Sequence, residues 1–194
     1  MNRKAFLLSA HFVLAIFFAM DARANINGSS IFGPGFESPV PLNDRTKPIG
    51  VDEPQVLARL SEHFVFTPFE SLSGGLNNFT LRVGFNKNSE AQIGIFKHKD
   101  AVVLVAFTFP TATDPTEANI IRGSHRMGQL IRLLKNSVPD VPWDAKENSA
   151  NLGKVIGQLS RVPGDITYNA GSRKVFFRRL SLEKPFEIYI YASP

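Results

Sequence analysis

The stretch "AVVLVAFTF", residues Ala101–Phe109, carries apolar side chains at odd and even positions alike, with Thr108 the one exception. A strand with one wet face alternates, whereas a strand covered on both sides reads as a continuous apolar run. Ala101–Phe109 is therefore expected to be a central, buried strand. The residues before it have a period of two. Phe79, Leu81, Val83 and Phe85 alternate with Thr80, Arg82 and Gly84, and Ile93 and Ile95 alternate with Gln92 and Gly94. With a turn at His98-Lys99-Asp100, these segments form an antiparallel meander that ends in the buried run. A second meander is expected from Asp165–Asn169, Arg173–Ser181 and Phe186–Ala192, with a turn at Ala170-Gly171-Ser172.

Three helices are expected around the meanders, near 53–64, 115–137 and 145–160. Each is signalled by an acidic residue with Glu or Gln three positions later, in Asp52-Glu53-Pro54-Gln55, Asp114-Pro115-Thr116-Glu117 and Asp144-Ala145-Lys146-Glu147. That spacing suits a capping box, in which two backbone N–H groups are satisfied by side chains. Val51 and Val56 are spaced as a hydrophobic staple around the first. The second helix should stop before Pro139, since the residue preceding proline resists helical geometry. The order is helix, strands, two helices, strands. It specifies an α+β fold, an antiparallel sheet built from two strand meanders with about three helices packed on it. The pattern is equally compatible with one sheet or two.

The N-terminus is organised as an export signal. Asn2-Arg3-Lys4 is basic, Ala5–Met20 is apolar but for Ser9 and His11, and Ala22-Arg23-Ala24 offers a small-x-small cleavage site. Residues 1–24 are expected to be a signal peptide cleaved after Ala24, leaving the chain periplasmic or secreted. No later segment is apolar for long enough to span a bilayer as a helix, so no integral membrane segment is expected after cleavage. Residues 25–50, rich in proline and glycine, read as an arm, either disordered or extended across the domain with Ile31, Phe32 and Phe36 tucked in. Residues 51–194 read as a single domain. The chain has no cysteine. An exported domain without disulfides must hold together by packing, and this points to a bacterial envelope. Thirteen of the seventeen phenylalanines lie beyond residue 24 and supply the bulk for such a core, or the lining of a cavity.

Charge is uneven. Residues 25–116 hold 7 basic and 9 acidic side chains, and residues 117–194 hold 12 and 7. The basic half is where an acidic partner or anionic ligand would be met. A net charge this modest, together with export, makes nucleic acid a poor partner. Along "IIRGSHRMGQLIRLLK", Ile120–Lys135, helical spacing puts Ile120, Met127, Leu130, Ile131 and Leu134 on one face. Arg122, His125, Gln129 and Arg132 fall opposite, with Arg126 on the flank. Ser124 and His125 are adjacent, so on a helix they point apart and cannot act as nucleophile and base. There is no Gly-x-Ser-x-Gly elbow and no cysteine nucleophile. His63, His98 and His125 lack metal-ligand spacing, and Ser73-Gly74-Gly75 lacks the lysine of a phosphate loop and reads as a hairpin turn. No catalytic residue, metal site or cofactor is expected.

Anion recognition fares better. Arg122, Arg126 and Arg132 make one basic stripe. Arg178 and Arg179 lie on a predicted strand beside one that puts Tyr189 and Tyr191 on the same face as Glu187. Arginine and tyrosine together can recognise a ligand or partner by hydrogen bonding, stacking and cation–π contact. Arg178 and Arg179 are both expected at the surface. The expected function is that of an exported, non-enzymatic binding protein. It would recognise an envelope protein, or an anionic or amphiphilic ligand, through its basic C-terminal half. One alternative is an inhibitor or immunity-type protein that neutralises an exported toxin or hydrolase. Another is a hydrolase whose site assembles only in space.

Overall fold

Eight strands join in one antiparallel sheet. The computed structural model describes residues 31–32, 36–72, 78–87, 91–109 and 117–193, with side chains in the long helix described from Met127 onward. The chain divides into two units, Met1–Gly33 and Pro34–Pro194. The first is described only as a turn at Ile31 and Phe32. The second holds the helices α1 (Glu53–Leu60), α2 (Glu117–Ser137) and α3 (Lys146–Leu159). Its strands are β1 (Phe64–Phe66), β2 (Glu70–Ser71), β3 (Phe79–Asn86), β4 (Gln92–His98), β5 (Ala101–Phe109), β6 (Gly164–Ala170), β7 (Arg173–Arg179) and β8 (Phe186–Ala192). The order across the sheet is β1-β3-β4-β5-β8-β7-β6, with β2 also paired to β3. Both meanders lie in the same sheet, joined where β5 pairs with β8, Ala106 opposite Tyr189. The fold is α+β, with helices packed on an antiparallel sheet.

The apolar run is the central strand β5, with Val102 to Thr108 all buried. On one face Ile93, Ile95, Val105, Phe107, Val175, Phe177, Ile188 and Ile190 meet α1 (Val56, Leu60), α2 (Leu130, Leu134) and α3 (Leu152, Val155, Leu159) in one cluster. Each such side chain contributes about 1.5–3 kcal/mol on burial. Trp143, fully buried in the α2–α3 connection, donates its indole N–H to the Val138 carbonyl at 2.8 Å. Gly84 lets β3 pass close to Phe66, since a Cβ there would lie 2.6 Å from that ring and 2.7 Å from Ile93.

The other face bears Phe79, Leu81, Phe96, Leu104, Ala106 and Tyr189, all buried. Part of its cover is the arm. The Phe36 ring lies 5.2 Å from that of Phe96 and 6.4 Å from that of Tyr189. Asp44 approaches His98 Nε2 at 3.5 Å. Val40 is buried, while Ile49 joins the helix-side cluster and its N–H donates to the Val102 carbonyl at 2.9 Å. Residues 36–50 thus belong to the same unit as the sheet, because their apolar side chains have a sheet face to cover.

The capping boxes need correction. Asp52 occupies the N-cap of α1 with no side-chain cap bond. The α3 N-cap is Ala145, and Asp144 instead accepts a hydrogen bond from Lys135 Nζ at 2.8 Å. A salt bridge to the preceding helix takes the carboxylate that the spacing assigned to the cap. Residues 114–116 and the turn at 73–75 lie outside the described residues.

Candidate functional site

The face that carries Tyr189 is crossed by a polar row. Thr108 (β5), Glu187 (β8), Arg178 (β7) and Asp165 (β6) are successive cross-strand partners. Period two places them on one side of the sheet with Tyr189, Phe176 and Thr167, which form the next row. Tyr189 donates its phenol to Glu187 Oε2 at 2.6 Å, and both residues are buried. Arg178 spans Asp165 with two hydrogen bonds of 3.2 and 3.3 Å, and its guanidinium lies 5.5 Å from the Phe176 ring centre. The Phe176 and Tyr189 ring centres are 5.9 Å apart.

The electrostatics of the row are largely self-contained. Burial, and then the hydrogen bond to Glu187, push the Tyr189 phenol far above its usual range. Asp165 raises the pKa of Arg178. Burial alone raises Tyr168, whose hydroxyl is buried without a hydrogen-bond partner. Lys135 holds Asp144 below the usual carboxylate range. Each of these pKa values is moved away from 7, the opposite of the tuning that acid–base catalysis uses. Two carboxylates also flank the single Arg178 charge. This offsets its attraction for an outside anion.

Arg179 lies on the opposite face from Arg178, as adjacent strand residues must. It is 4 % exposed, which corrects the surface placement expected from charge alone. It donates to the carbonyls of Leu159 (2.9 Å), Leu182 and Lys184 (3.4 Å) and lies 4.8 Å from the Phe186 ring centre. Burial lowers its pKa, yet arginine stays charged at any ordinary pH. The planar fork therefore ties the end of α3 to the β7–β8 loop.

The structure brings Arg178, Tyr189 and Tyr191 to one face, with Tyr191 half-buried one row further along, opposite Lys174. It does not bring Arg179 there. Arg132 is exposed on α2, apart from them. The side chains of Arg122, His125 and Arg126 lie outside the described residues. No group of three or more His, Asp or Glu side chains suited to a metal occurs among the described residues.

Sequence reasoning missed the exposed apolar side chains of two adjoining loops. Val162, in the α3–β6 loop, is 62 % exposed, and Leu180 and Leu182, in the β7–β8 loop, are 64 % and 47 % exposed. Arg179 ties the β7–β8 loop to the last residue of α3, from which the α3–β6 loop starts. Arg161 and Lys184 are exposed beside them. Their signal was isolated aliphatic residues in segments punctuated by Pro163, Gly164 and Pro185, where strand alternation no longer applies.

No family model, curated protein or solved structure matches this chain. Function must be read from the geometry. No described helix is long and apolar enough to cross a membrane.

Proposed function

We propose that this chain is an exported, non-enzymatic binding protein that docks on an envelope protein through the α3–β6 and β7–β8 loops of its basic half. The observation that carries the reading is the exposed aliphatic side chains of the two loops, with buried Arg179 tying the β7–β8 loop to the end of α3. Three aliphatic side chains held in water cost solubility, and contiguous exposed apolar surface rimmed by polar groups is what interaction sites present. A buried arginine that fixes the β7–β8 loop lowers the ordering cost of association. Arg161 and Lys184 supply a basic rim suited to an acidic protein surface. The described phenylalanines are spent mainly on core packing, which favours a protein partner over an enclosed amphiphile. An inhibitor or immunity role fits the same surface, with a toxin or hydrolase as the partner.

The test is site-directed photo-crosslinking from position 182 in an exporting host, with position 154 on the exposed side of α3 as control. A single adduct from position 182 that disappears with Leu180→Ser is expected. Equal labelling from both positions, or an adduct indifferent to Leu180→Ser, would refute the docking surface.

A further inference from the structure

The two edges of the sheet are unlike. At one edge β1 spans three residues and β2 two, so little unpaired backbone is offered. At the other, β6 runs seven residues in unbroken register with β7, from Gly164 opposite Arg179 to Ala170 opposite Arg173. No strand lies on its outer side among the described residues. Natural edges are guarded by lysine, proline, bulges or shortness. Gly164–Ala170, GDITYNA, has no lysine, proline or bulge, and its one charged side chain, Asp165, is already paired with Arg178.

The turn shows which backbone groups are free. Gly171 and Ser172 form a two-residue loop, with Gly171 at φ 62°. Such a loop is closed by a hydrogen-bonded pair, here Ala170 with Arg173, and bonded pairs then alternate. Tyr168 and Ile166 therefore bond inward to β7. The N–H and C=O groups of Asp165, Thr167 and Asn169 point away from the sheet. Asp165, Thr167 and Asn169 are all exposed.

We propose that β6 pairs antiparallel with β6 of a second copy, across a twofold axis at Thr167, joining two sheets into one. The strand is self-complementary in that register. Thr167 meets Thr167 of the second copy. Asp165 meets Asn169 of the second copy, a carboxylate opposite an amide donor, so no like charges face each other. Ile166 meets Tyr168 of the second copy on the helix-bearing face. Threonine pairs and aromatic–β-branched pairs are favourable cross-strand partners. The outward groups of three residues per copy make about six backbone hydrogen bonds. The register uses all seven residues of β6 and leaves the apolar loops outside the seam, roughly 20 Å apart along it. The dimer is independent of the loop-borne contact and would present it twice.

A one-strand seam is a small interface, below ~1,200 Å² in total, so association is weak and must be followed up to ~0.5 mM. The chain recovered from an exporting host is compared by sedimentation velocity and by amide hydrogen exchange with Thr167→Lys and the exposed control Lys154→Ala. Wild type and control should shift from monomer to dimer as concentration rises. The amides of Asp165, Thr167 and Asn169 should become protected over the same range. Thr167→Lys, which sets two ammonium groups face to face, should stay monomeric with an unchanged circular dichroism spectrum. A wild-type chain monomeric throughout, a dimer that tolerates Thr167→Lys, or a dimer that leaves those three amides exchanging fast would each overturn the proposal.

Discussion

Replacing Arg179 by methionine should destabilise the fold far more than the same change at its neighbour Arg178. Arg179 is 4 % exposed and donates to three main-chain carbonyls, one at the end of α3 and two in the β7–β8 loop. A hydrogen bond to a charged group contributes about 1.5–3 kcal/mol net. The bond to Lys184 is long at 3.4 Å and counts for little, and the freed loop carbonyls can rehydrate. Methionine also keeps much of the packing against Phe186. These offsets leave a loss of about 3 kcal/mol for Arg179→Met. For a domain of this size that corresponds to a fall in Tm of roughly 6–12 °C. Arg178 holds a half-exposed aspartate, and such a pair contributes about 0–1 kcal/mol. Urea unfolding of both variants, followed by Trp143 fluorescence, reads the two losses on one scale. Equal losses, or a larger one at Arg178, would refute the brace assigned to Arg179.

Gly84→Ala should cost about 1–3 kcal/mol by thermal unfolding, because its methyl would overlap Phe66 and Ile93. Gly128→Ala, with nothing within 4 Å of the new methyl on α2, should instead gain about 1 kcal/mol. Folded Tyr168 and Tyr189 hold their protons above the usual phenol value of 10.0. The native state therefore binds more protons than the unfolded chain as pH rises past 10, and stability must fall there. Urea midpoints taken between about pH 8 and 11 should show that fall, and Tyr189→Phe should flatten it. Trp143, the only tryptophan and fully buried, should emit at shorter wavelength when folded and shift red on unfolding.

The architecture was legible because the apolar periods were clean. Ala101–Phe109 is read correctly as the central strand, since an unbroken apolar run has no water-facing alternative. The second meander is read to within about two residues. Local hydrogen bonding was less legible. Asp144 has the spacing of a cap, but Lys135, nine residues earlier, is brought beside it only when α2 and α3 pack. The two short strands β1 and β2 carry too few residues to show a period. Arg178 and Arg179 look alike in sequence. Strand alternation sends one to each face, and which face is wet depends on what covers it. Leu180 and Leu182 could not be separated from core positions, because exposure is a property of the assembled loops.

The most direct test of the loop-borne contact is native mass spectrometry of the chain recovered gently from an exporting cell's envelope fraction, compared with Leu180→Ser/Leu182→Ser. The expected result is an added protein mass, different from a second copy of this chain, that is present in wild type and lost in the variant. An added small molecule, no added mass, or a partner retained by the variant would contradict a protein-docking role for these loops.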